Sequence, residues 1–267
     1  MATAPDGVRL HYIAEGAGPP LVLIGGKTSN IEAAWWRLIQ PLSKKLRVIA
    51  LDNRGAGQSD KPDAPLSTDM MAEDALIVLG QAGERSAHWV GISLGGMVLQ
   101  KLALNHPEAV RSLVLIATHC GGESRAPRLS AQEERKIAAS PHRRLAHLYS
   151  VDSLLNRQDW IAEDARHFGK MPLHAIIRQD QAVKAHNTCG RLQEIGAPVL
   201  IIHGREDRLV PISRANELHQ HLPHSRLEIL EGGHQVHSEQ VARVTQLILE
   251  FVADVESADR QRTSTPE

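Results

Sequence analysis

Apolar runs of strand length alternate with helix-like stretches along most of this 267-residue chain. The runs lie at residues 8–14, 21–24, 47–51, 88–90, 113–117, 199–203 and 226–230. The middle ones are almost continuously apolar, as strands covered on both faces should be. Residues 70–79 read as a helix that begins after Ser67 and Thr68 and stops near Gly80, and 94–105 is a second helix-like run. Ser213 is placed to cap a helix reaching about Leu222, ahead of Pro223. Ser238 is placed to cap a last helix, whose apolar stripe is Val241, Val244, Ile248, Phe251 and Val252. This alternation predicts βαβ units, and so an α/β fold with a mostly parallel central sheet flanked by helices.

Residues 121–195 break the rhythm. They are polar, rich in Arg and Gln, and helical in patches, with no convincing strand. They are expected to form a small helical cap over the strand C-termini. The cap interrupts a core made of residues 1–120 and 196–255, and residues 256–267 are expected to be a flexible tail.

Composition narrows the class. Hydrophobic residues make up 42% of the chain, enough for a sizeable core, and the formal net charge is −1. A balanced charge gives no polyanion-binding surface, so nucleic acid is not an expected partner. No segment approaches the ~20 apolar residues of a membrane span, and the N-terminus has no apolar leader. The two cysteines, Cys120 and Cys189, make no disulfide framework and fit a reducing compartment. A cytoplasmic protein without membrane association is the expectation. The fifteen histidines are scattered. Even the closely spaced His219, His221 and His224 have no accompanying carboxylate or thiolate set, so no metal is expected.

The chemistry centres on Gly91-Ile92-Ser93-Leu94-Gly95, a G-x-S-x-G pentapeptide between an apolar run and a helix-like run. That context suits a nucleophile elbow, in which a sharp turn presents a serine hydroxyl at a strand end. Glycines on either side relieve crowding. The backbone N–H of Leu94 then sits at a helix N-terminus, where it can stabilise developing negative charge. Three fixed positions recur by chance in roughly one chain in ten of this length, so the reading depends on partners.

A serine nucleophile needs a base, and the base needs an orienting acid. Asp207 lies just past the 199–203 run and His234 just past the 226–230 run, after Gly232-Gly233. Glu206 competes with Asp207, and His237 with His234. His203, at a strand end, reads as structural. The Asp52–Ser59 stretch has neither a Walker lysine nor the G-x-G-x-x-G spacing, so Asn53 and Arg54 are assigned to structure. Trp35 and Trp36 either line a pocket or pack beneath the cap.

The chain resembles the α/β-hydrolase superfamily over essentially its whole length, nearest the bacterial 3-oxoadipate enol-lactone hydrolases and related esterases. Four blocks carry the resemblance: residues 21–26, 52–59, 91–97, and the Gly204, Asp207, Pro211 and Gly233-His234 set. The order Ser, Asp, His is that of the superfamily. The resemblance implies Ser93 as nucleophile, His234 as base and Asp207 as acid. It also implies an oxyanion hole from the N–H groups of Leu94 and Lys27. Gly26 and Trp35 are the candidate substrate contacts. Many relatives have His-Gly where this chain has Gly25-Gly26, and an apolar residue where it has Lys27. The Lys27 side chain either points to solvent or selects an anionic substrate. The implied function is cofactor-free hydrolysis of a small-molecule ester or lactone through an acyl-enzyme. Lyase or C–C bond hydrolase chemistry on the same residues, amidase or thioesterase activity, and a small-molecule receptor role remain open.

Overall fold

The computed structural model describes residues 1–122, 130–138 and 140–264. Residues 123–129 and 139 of the expected cap, and 265–267 of the expected tail, lie outside it.

The chain opens with β1 (Ala2–Thr3), β2 (Arg9–Leu10), β3 (Tyr12–Glu15), β4 (Pro20–Ile24), α1 (Ile31–Ser43), β5 (Arg47–Leu51) and α2 (Thr68–Gln81). It continues through β6 (Ala87–Ile92), α3 (Leu94–Asn105) and β7 (Val110–Ile116). After β7 come α4 (Ala131–Ala138), α5 (Val151–Asn156), α6 (Gln158–His167) and α7 (Leu173–Ala185). The last part is β8 (Val199–Gly204), α8 (Ile212–His221), β9 (Ser225–Leu230), α9 (Val236–Glu239) and α10 (Val241–Ser264).

Seven strands form one sheet in the order β3-β5-β4-β6-β7-β8-β9. Only β3 runs antiparallel to its neighbour. The side-chain period of two explains the continuous apolar runs. In β4, Val22 and Ile24 enter one buried cluster while Leu21 and Leu23 enter the other. β7 divides the same way, Leu113 and Leu115 against Val114 and Ile116. The first cluster is covered by α2, α3 and α8, through residues such as Met71, Val98 and Leu218. The second is covered by α1 and α10, through Trp35, Leu38, Val244, Ile248 and Phe251.

Several local expectations need correction. The 8–14 run is two strands, because His11 turns aside: its N–H donates to Ser59 Oγ and its Nδ1 lies 2.9 Å from Asp52 Oδ2. Ser67 caps α2 by accepting from the Met70 N–H. Ser213 caps nothing, since α8 already begins at Ile212 after Pro211. Ser238 sits inside the short α9 and donates instead to Asp164 on α6. The segment from 256 is helical as far as Ser264, because α10 runs on and Glu256 is held by Arg111 at 3.0 Å and His88 at 3.1 Å.

Cys120 and Cys189 are joined in a disulfide. This overturns the expectation that the two cysteines make no disulfide. The fold brings the exit of β7 against the segment leading to β8. A Gly121–Asn187 bridge and a Thr188 N–H to Cys120 O hydrogen bond of 2.7 Å flank the pair, which lies 69 residues apart in sequence. Among the described residues, no helix is long and apolar enough to cross a membrane.

Sheet order also positions the site. From β4 the chain steps outward to β5, then returns to the other side of β4 to form β6. Loops leaving the carboxyl ends of β4 and β6 therefore diverge. A crevice opens where they part, the usual place for a ligand in an open α/β sheet.

Candidate active site

Ser93 occupies the turn between β6 and α3 with φ 53° and ψ −116°, a conformation that non-glycine residues rarely adopt. Its surroundings hold it there. Its N–H donates to Ile116 O at 2.9 Å, and its carbonyl accepts from Thr118 Oγ1 at 2.7 Å. The flanking glycines are sterically required. A Cβ on Gly91 would lie 2.5 Å from the Gly95 carbonyl carbon, and one on Gly95 would lie 2.1 Å from Ile24 O. The loop after β4 presses against the turn as well, since a Cβ on Gly26 would stand 3.4 Å from Ser93 Cβ. Leu94 is the first residue of α3, where the N–H groups of a helix point outward.

Asp207 and His234 leave the neighbouring strands β8 and β9. Both are buried, and His234 Nδ1 lies 2.8 Å from Asp207 Oδ2. The other carboxylate oxygen, Oδ1, accepts from the Leu209 and Val210 N–H groups, each at 2.8 Å. Two backbone donors thus fix the carboxylate and help offset its burial. Gly232, at φ 149°, turns the chain out of β9 toward the imidazole. Glu206 faces elsewhere: it accepts from the Val151 N–H at 3.1 Å and lies 3.5 Å from Arg208. His203 Nε2 lies 2.8 Å from Val210 O and 3.5 Å from Asp207 Oδ2, a structural placement.

Ser93 and His234 line one cavity of about 440 Å³, together with Gly26, Lys27 and His237. Its walls are largely apolar, from Ala33, Ile92, Leu148, Phe168, Met171 and Ile176. Residues 19–173 match the alpha/beta hydrolase fold family. The chain is also 31% identical over 265 residues to 2-hydroxymuconate semialdehyde hydrolase of Pseudomonas sp. strain CF600, covering 94% of this chain and 93% of that one. This chain belongs to the α/β-hydrolase family. It resembles the enol-lactonases within that family: identity to 3-oxoadipate enol-lactonase 2 of Acinetobacter baylyi is 28% over 242 residues, covering 89% and 90% of the two chains. A crystal structure of a hydrolase from Pseudomonas aeruginosa superposes with a TM-score of 0.81 at 25% identity, covering 94% and 96%.

In this hydrolase Gly26 borders the cavity, but Trp35 does not. The Trp35 side chain is fully buried in the core and packs against His237, ring centroids 5.6 Å apart. Trp36 binds the segment between β7 and β8: its Nε1 donates to Asp164 Oδ1 at 3.1 Å, and Arg37 stacks between Trp36 and Trp160. His237 Nε2 donates to Ala34 O at 3.0 Å, and burial pushes its pKa down to about 4. Arg54 is structural, paired through two 2.7 Å bonds with buried Asp74.

The Lys27 ammonium is 2.9 Å from Asp180 Oδ1 on α7. Lys184 and Lys27 together hold the Asp180 carboxyl below its usual range. A half-exposed ion pair is worth about 0–1 kcal/mol, yet it already gives the ammonium a counter-charge. Lys27→Met is therefore expected to leave unchanged the ratio of kcat/KM for matched neutral and carboxylate-bearing esters. A ratio that shifts against the anionic ester would assign the side chain to substrate selection. Among the described residues, Cys120, Cys189 and Glu217 are the one group with candidate metal-binding atoms close together, and its two sulfurs are bonded to each other.

The buried histidines set a pH dependence of stability. Burial lowers His186 to about 3 and His237 to about 4, and also lowers His88 and His203. Unfolded histidine binds a proton near pH 6.5. The unfolded state thus takes up more protons as pH falls from about 6.5 toward 4, and the folded state loses stability across that window. By pH 5.5 His186 and His237 should each cost about 1 kcal/mol. Urea midpoints at pH 7.5 and 5.5 test this, and equal midpoints would contradict it.

Sequence reading missed two features, one in the cavity wall and one behind it in the packing of α1 against α6. Thr28 has φ 62°, and its N–H donates to Gln179 on α7. Asp164 gathers Trp36, Arg37, Tyr149 and Ser238. Neither follows a periodic pattern, so neither leaves a sequence signal.

Proposed function

We propose that this hydrolase cleaves a small carboxylic ester or lactone through an acyl-enzyme on Ser93. The observation that carries the reading is convergence. A strained serine and the histidine of a buried His–Asp pair, with the three residues leaving three separate strand ends, border one mostly apolar cavity. Ser93 Oγ attacks the carbonyl carbon while His234 Nε2 takes its proton. The leaving alcohol departs with that proton. Water then attacks the acyl-enzyme by the same route in reverse. Asp207 holds the imidazole with Nδ1 protonated, which leaves Nε2 as the basic nitrogen, and supports the charge that develops. The N–H groups of Leu94 and Lys27 are the proposed donors to the oxyanion. Each step uses protein groups and water.

The cavity of about 440 Å³ suits a substrate of modest size with an apolar acyl part. A second reading is hydrolysis of a C–C bond. The relative that acts on 2-hydroxymuconate semialdehyde favours it, since that compound contains no ester linkage. A panel of short-chain esters, lactones, thioesters and a dienol semialdehyde, run with wild type and Ser93→Ala, separates the two. Turnover of esters and lactones that Ser93→Ala abolishes supports the first reading. Turnover confined to the semialdehyde supports the second, and no turnover of any panel member contradicts both.

A further inference from the structure

We propose that Gln179, on α7, is a positioning residue for the oxyanion hole, acting through the backbone of Thr28. The inference rests on the proposed role of the Lys27 N–H.

Thr28 follows Lys27 directly, so the peptide plane between them links the two residues. Thr28 is β-branched and has φ 62°, a left-handed conformation that such residues adopt only when the surroundings impose it. What imposes it comes from α7, the helix whose Ile176 lines the cavity. Gln179 is fully buried, and its Oε1 accepts from the Thr28 N–H at 2.8 Å. Its amide is anchored in turn, with Nε2 donating to Arg54 O at 3.3 Å. One side chain therefore ties the loop after β4 to the loop after β5. Locally, Thr28 Oγ1 donates to Lys27 O at 2.6 Å and Asn53 Nδ2 to Gly25 O at 3.0 Å. These hold the carbonyls of the loop, whereas Gln179 holds the amide next to Lys27. Without that acceptor Thr28 is free to relax to negative φ, and the Lys27–Thr28 peptide turns with it; Lys27 Cα is carried along, and through it the preceding Gly26–Lys27 peptide, which bears the Lys27 N–H, is re-aimed. A donor displaced by about 1 Å can lower turnover a hundredfold.

The neighbouring Asp180 also reaches the loop, but through the Lys27 ammonium rather than its backbone. The pair therefore separates general docking of α7 from control of the amide.

The test compares Gln179→Met, which keeps side-chain length and removes the acceptor, with Gln179→Glu, which keeps an acceptor oxygen, and with Asp180→Asn. Gln179→Met should lower kcat about 10- to 100-fold with KM within about twofold. Its affinity for a boronic acid matched to the acyl group should fall in proportion to kcat/KM, since the tetrahedral adduct uses the oxyanion donors. Gln179→Glu should recover part of the loss. Asp180→Asn should stay within about fivefold of wild type. Unchanged kcat in Gln179→Met, a loss seen only in KM, or an equal loss in Asp180→Asn would overturn the proposal. If Gln179→Met fails to fold, Gln179→Asn, which withdraws the amide by one methylene, takes its place under the same criteria. Fluorophosphonate labelling of wild-type Ser93 distinguishes the two failures. A labelled, active wild type with an indifferent Gln179 variant refutes this inference alone, whereas an unlabelled Ser93 refutes the proposed function and this inference with it.

Discussion

Ser93→Ala is expected to lower kcat for an activated ester by on the order of a millionfold. The alanine keeps the Cβ, so the turn between β6 and α3 and its backbone bonds to Ile116 and Thr118 should survive. What disappears is the oxygen that carries the acyl group. Binding and the proposed Leu94 and Lys27 donors remain, so a residual rate about 10³ to 10⁴ above water is expected. Initial rates in large excess of substrate, with circular dichroism as a folding control, check the outcome. Near-normal rates in a folded Ser93→Ala would place the nucleophile elsewhere.

The second large effect concerns the His–Asp pair. His234→Ala should reduce turnover about 10³-fold or more, because residues that act as one unit fail together. His237→Ala should do much less, since the His237 ring already donates to Ala34 and is held neutral by burial. Asp207→Asn is the more revealing change. Oδ1 of Asp207 accepts two backbone N–H groups, so an asparagine must place its carbonyl oxygen there. Its NH2 then faces His234 Nδ1, a donor where an acceptor stood. The imidazole must turn Nδ1 into an acceptor and carry its proton on Nε2, where the base is needed. A loss of about 10⁴-fold in kcat is expected on that ground. The reverse ranking, with His237→Ala severe and His234→Ala mild, would move the base to His237.

The elbow was legible because G-x-S-x-G records a steric condition: each glycine stands where a Cβ would strike backbone. Asp207 and His234 were legible because short loops after buried strands reach a sheet edge, and the strands themselves are continuous apolar runs. Features set by tertiary contact were not legible. The Cys120–Cys189 bond depends on two chain exits meeting. Serines 213 and 238 fit the capping pattern locally, but packing started α8 at Ile212 and drew Ser238 to Asp164. The polar end of α10 reads as a tail, yet Glu256 pairs with Arg111. Trp35 was placed at the substrate because aromatic side chains suit both pockets and cores, and here the core took it.

The central claim is that Ser93 carries the acyl group. Wild type mixed with an activated ester, quenched in acid within the first turnovers, should show by intact mass one acyl group per chain. Peptide mapping should place that group on Ser93, and Ser93→Ala should show none. Steady turnover with no adduct at any quench time, or an adduct on another residue, would contradict the account.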